Sequence, residues 1–132
     1  MSGTEWVVEA HGCDTAALGN LARLEELFAD IIEFLSLHAV GRPLWHKFPG
    51  TGGITGLCLL AESHLACHTF PEYGSLCLNV FCCRPRPDWD FEAHLKREFR
   101  AASVRVRRID RPYEPEDRQL PQLRRAHSVP LV

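Results

Sequence analysis

The sequence predicts an α+β fold: a two-layer sandwich in which a largely antiparallel sheet carries two helices on one face. Three observations support that expectation. Six short runs of apolar, β-branched and aromatic residues are bounded by Gly, Pro, Asp or Ser, the punctuation of strands. Two other stretches repeat their apolar residues at helical spacing. Their order, β-α-β-β-β-β-α-β, suits a sheet with its helices segregated to one side.

The elements follow in order. "EWVVEAH" (5–11) reads as a strand closed by Gly12, with Asp14 placed to cap the helix that follows. From Leu18 to His38 the residues Leu21, Leu24, Leu27, Phe28, Ile31, Ile32, Phe34 and Leu35 form an apolar stripe, with Gly19 a point of interruption. "PLWHKF" (43–48) is a strand, and the Gly-rich run at 49–53 is a turn. "ITGLCLLA" (54–61), "HLACHTF" (64–70) and "LCLNVFCC" (76–83) are three more strands, the last two joined by Pro71 to Gly74. A second helix over 89–101 has Phe91, Leu95 and Phe99 on its apolar face. "SVRVRRI" (103–109) is the last strand. Residues 1–111 are thus expected to form one domain, followed by a loosely attached Pro- and charge-rich tail, 112–132.

At 132 residues such a chain can bury a core without disulfides or metal. A net charge of −2 gives no electrostatic case for nucleic acid or an anionic membrane. No apolar stretch reaches the ~20 residues that span a bilayer, and the N-terminus lacks a basic segment followed by an apolar one. A cytoplasmic protein is expected. The six cysteines lie mostly in strand-like runs with no C-x-x-C pair, which points to free, buried thiols.

One stretch does not read as plain strand. "LLAESHLACHTFPEYG" (59–74) places Glu62, Ser63, His64, Cys67 and His68 within seven residues. A serine hydrolase would want a G-x-S-x-G elbow, which is missing. A zinc site from His64, Cys67, His68, Cys82 and Cys83 is opposed by strand alternation, which turns Cys67 away from both histidines. Satisfied residues of a ligand-binding core are a third possibility. A fourth reading uses every group. The Ser63 hydroxyl attacks the Glu62 carbonyl and converts the amide to an ester. A base removes the Ser63 Cα proton, the Glu62 carboxylate leaves, and dehydroalanine remains. Hydrolysis releases ammonia and leaves a pyruvoyl group. That chemistry needs an imidazole base, met by His68, and a donor to the oxyanion, met by the Thr55 hydroxyl. A pyruvoyl carbonyl then takes a primary amine as a Schiff base and acts as an electron sink for decarboxylation.

"ESHLACHTFPEYG" with the downstream "NVFCC" resembles the S-adenosylmethionine decarboxylase proenzymes of the short prokaryotic type, and the likeness extends from "VVEAHGCD" through 103–109. The resemblance implies cleavage between Glu62 and Ser63 into 1–62 and 63–132, with Ser63 the pyruvoyl precursor and His68 the processing base. It makes Cys83 the proton donor, with Cys82 the rival, and leaves His64 the other candidate base. Glu72 would hold ribose hydroxyls, and Phe48 and Phe70 would stack on adenine. It also implies a homodimer of processed protomers, no metal, and a role in spermidine biosynthesis. Thr55 stands where the family commonly has Ser, Phe70 where it has Trp and Asn79 where it has Asp, and Glu5 lies near the place of a family His. Relatives of this scaffold acting on arginine or ornithine, or a non-processing ligand-binding homologue, are the alternatives.

Overall fold

A computed structural model describes residues 1–115; the tail proposed over 112–132 therefore lies largely outside the described residues. The chain builds β1 (Ser2–His11), α1 (Thr15–Leu18), α2 (Leu21–Phe34), β2 (Leu44–Lys47), β3 (Ile54–Leu60), β4 (Ser63–Phe70), β5 (Ser75–Cys82), α3 (Phe91–Phe99) and β6 (Ser103–Pro112). The six strands form one antiparallel sheet in the order β2-β3-β4-β5-β1-β6. This is the predicted α+β sandwich.

The helical stretch 18–38 divides, as the glycine hinted. α1 stops at Gly19, and Asn20 starts α2 by accepting the amides of Ala22 and Arg23 with its side chain. A cap of this kind contributes about 1 kcal/mol. Asp14 precedes α1 but makes no side-chain cap bond. α2 buries Leu24, Leu27, Phe28 and Ile31, whereas Leu21 and Phe34 are exposed. The helix therefore buries a narrower stripe than its apolar content implied.

One sheet face and the helices share a single core. Trp6, Val8 and Ala10 of β1, Leu65 and Cys67 of β4, and Leu76, Leu78, Val80 and Cys82 of β5 pack there with Phe28, Phe91 and Phe99. Their odd-even partners point to the other face, which no helix among the described residues covers. On that open face one row runs Thr55, His68, Cys77, Glu9, and another runs Leu59, His64, Phe81, Glu5. Leu57 and Leu59 are half exposed or more there. Within the sheet, Trp45 lies across Gly56, its ladder partner, so closely that a Cβ would meet the indole at 2.2 Å.

β6 runs one residue past the predicted domain boundary at 111 and pairs along the whole of β1. Tyr113 donates to the Cys83 carbonyl at 2.9 Å, and Glu114 meets the N-terminal amine. The first residues assigned to the tail are thus fastened to the domain. Among the described residues, no helix is long and apolar enough to cross a membrane, and no group of His, Cys, Asp and Glu could hold a metal ion.

Candidate active site

β3 and β4 form a hairpin whose last ladder pair is Leu60 with Ser63, so Ala61 and Glu62 make the whole turn. Ser63 opens β4 and is paired across β5 with Cys82. That register has a chemical consequence that the sequence did not disclose. The Cys83 amide, just past β5, donates to the Glu62 carbonyl at 2.9 Å. This is the carbonyl that the Ser63 hydroxyl would attack, and an N–H aimed at it is the donor that a developing oxyanion needs. The cysteine pair divides as strand alternation requires: Cys82 is fully buried in the core, and Cys83 is half-buried.

Glu62 is itself a tightly held residue. Its carboxylate accepts the His38 amide at 2.9 Å and the His38 Nδ1–H at 2.5 Å, and Arg86 approaches to 3.8 Å. Burial would raise its pKa, but the hydrogen bonds and charge of His38 outweigh that and hold it below the ordinary carboxylate value.

The other predicted residues gather elsewhere. His68 accepts or donates through Nδ1 to the Thr55 hydroxyl at 3.1 Å, one strand away. The two line a cavity of about 370 Å³ together with Phe48, Phe70 and Glu72. All three substrate-binding candidates thus share one pocket with the candidate base. His68 lies five positions beyond Ser63 on the same strand, roughly 16 Å at the rise of a β-strand. Within one chain the structure does not bring Ser63 and Cys83 to His68 and Thr55.

Between these two places lies a polar network on the open face. Asn79 donates its amide to Glu5 at 2.6 Å, which turns its carbonyl to His64 Nε2 at 2.8 Å. His64 is therefore a hydrogen-bond donor through Nε2. Arg111 donates to the other Glu5 oxygen and lies over the Phe81 ring. Burial would raise the Glu5 carboxyl, but the Asn79 and Arg111 bonds hold it low. Cys77, beside His68 on the ladder, has its thiol pushed up by burial and by Glu9, so it is a poor thiolate. Cys67 is driven up further by complete burial. His38, Arg86, Glu5 and Arg111 come from distant parts of the chain, and only the departure at Glu5 marked any of them in the sequence.

Residues 4–112 match the family described as S-adenosylmethionine decarboxylase. The chain is 34% identical over 116 residues to the S-adenosylmethionine decarboxylase proenzyme of Thermococcus gammatolerans, covering 87% of this chain and 80% of that one. It is 34% identical over 111 residues to the proenzyme of Moorella thermoacetica, covering 83% and 86%. The fold is that of the crystal structure of the adenosylmethionine decarboxylase from Aquifex aeolicus, with a TM-score of 0.72 at 22% identity over 88% of this chain and 95% of that one.

Proposed function

The chain belongs to the S-adenosylmethionine decarboxylase family, and from that membership we infer that it is a self-processing enzyme that releases the carboxyl group of S-adenosylmethionine as CO2. The decarboxylated product supplies aminopropyl groups for spermidine. The observation that carries the self-processing half of this reading is the Cys83 amide hydrogen-bonded to the Glu62 carbonyl, immediately before a serine at a hairpin turn.

Ser63 fits the role of pyruvoyl precursor because its neighbour's carbonyl is already polarised and held. Once formed, the pyruvoyl carbonyl supplies an electron sink for the pair left when CO2 departs. The chain's own residues do the rest. Phe48 and Phe70 offer ring faces for a purine, and an aromatic face also favours a sulfonium charge. Glu72 offers a carboxylate to ribose hydroxyls. Their presence in one cavity favours the adenosyl substrate over arginine or ornithine. Cys83, whose amide holds the Glu62 carbonyl, is the residue we assign to return a proton to the substrate carbon.

The separation of Ser63 from His68 supports the homodimer. A second copy laid antiparallel across the open sheet face would set the His68 end of one β4 against the Ser63 end of the other. Leu57, Leu59 and Phe70 on that face are apolar and exposed, as an interface requires. The substrate pocket and the reactive serine of each site would then come from different chains.

The test is the intact mass of the purified protein under denaturing conditions. Fragments of 62 and 70 residues are expected, and a single uncut chain overturns the reading. A second measurement separates turnover from processing. Cys83→Ala keeps the backbone amide that holds Glu62, so it should still be cut. Its CO2 release should fall by about 10²-fold or more, the usual scale for a general acid. Cys82→Ala, buried in the core, should lose no more than packing. Full turnover in Cys83→Ala would remove that thiol from the chemistry.

A further inference from the structure

We propose that His38 is a positioning residue for self-cleavage: it holds the Glu62 side chain, and through it the Glu62–Ser63 peptide bond, in the geometry that the serine attacks. The inference rests on the self-processing reading above and adds to it a residue outside the reactive stretch.

A two-residue hairpin turn is ordinarily a place where a chain moves. Here the turn is gripped from both sides. The segment after α2 runs alongside the end of β3, pairing Ala39 with Leu60. From it, the His38 carbonyl accepts the Ala61 amide at 2.8 Å, its amide donates to Glu62 Oε1 at 2.9 Å, and its ring donates to Glu62 Oε2 at 2.5 Å. On the far side the Cys83 amide holds the Glu62 carbonyl. Glu62 is thus fixed through its carbonyl and its carboxylate at once, and the scissile bond follows directly from that carbonyl carbon. Arg86, anchored to the Leu35 carbonyl at 2.8 Å, completes the enclosure.

The exposures separate positioning from stability. The Glu62 side chain is 10% exposed, but the His38 side chain is 74% exposed. An imidazole so open to water adds little to the stability of the fold. Its effect falls on Glu62. There is also an electrostatic reason for the clamp. Attack by the Ser63 oxygen builds negative charge on the Glu62 carbonyl oxygen, a few bonds from the Glu62 carboxylate. Donors from His38, with Arg86 nearby, offset a charge that would otherwise oppose the reaction.

The experiment follows cleavage of freshly translated full-length precursor by gel and mass, in the wild-type chain, His38→Ala and His38→Asn. It then measures CO2 release per cleaved chain. Misplacing a reacting group by about 1 Å can cost on the order of 10²-fold, so His38→Ala should cleave about 10- to 100-fold more slowly. The Asn amide nitrogen can replace Nδ1 as the donor and should restore most of the rate. Turnover per cleaved chain should be equal in all three, because His38 touches no substrate residue. Wild-type cleavage rates in His38→Ala would overturn the proposal. So would an Asn variant as slow as Ala, or turnover that falls in step with cleavage, since either would mean general damage. A wild-type chain that never cleaves would instead overturn the self-processing reading itself.

Discussion

Ser63→Ala should leave an uncut chain of 132 residues that releases no CO2 from S-adenosylmethionine. No other hydroxyl can form the ester at the Glu62 carbonyl, because the serine that follows that carbonyl is the only residue bonded to it through nitrogen. The loss is complete, since both the cut and the electron sink depend on one oxygen atom. The fold should survive. Ser63 holds its ladder places opposite Leu60 and Cys82 through backbone groups that alanine retains. Circular dichroism and the melting temperature therefore check that the loss is chemical. Two fragments from this variant would move the cut elsewhere and dismiss the assignment of Ser63.

His68→Ala should stall with the ester formed. Removal of the Cα proton should slow by 10²–10⁴-fold, the usual contribution of a positioned base. Hydroxylamine should then cut the stalled protein at residue 62. Unimpaired cleavage would name another base, His64 being the candidate beside Ser63. The roughly 16 Å between Ser63 and His68 along β4 makes a further demand. When the His68→Ala and Ser63→Ala chains are expressed together, mixed dimers contain one site with both wild-type residues. The His68→Ala chain should then be cut, its base supplied by the other subunit. If the base acts within its own chain, co-expression restores nothing, and the dimeric site is disproved.

Much of the architecture could be read from the sequence because burial on one face imposes a period. β5 alternates without a fault from Leu76 to Cys82, and the alternation correctly separated Cys82 from Cys83 and Cys67 from its flanking histidines. β6 was harder to delimit. It is exposed along most of its length, so no apolar residue marks its end, and only pairing with β1 shows that it reaches Pro112. The reactive residues were legible because they are contiguous. Their contiguity was also misleading, for Ser63 and His68, five positions apart on an extended strand, are separated by roughly 16 Å. Thr55, expected to serve the oxyanion at Ser63, pairs on the ladder with His68, so within one chain it lies at the far end of the strand from that serine. His38 and Arg86 reach Glu62 only through the packing of two loops, which no local pattern records.

The strand order has a consequence for the life history of the molecule. Cut after residue 62, the first piece would own β1, β2 and β3 and the second β4, β5 and β6, yet β1 lies between β5 and β6. The pieces would be interleaved, joined along three ladders, and would not part without unfolding. After denaturation, the precursor should refold at a rate independent of concentration. The mature protein would have to find its other half, so its recovery should rise with concentration and fail on dilution. The uncut chain would then be the only form that folds in a single encounter with itself, and the nick would make the native state something the mature enzyme can keep but not readily regain.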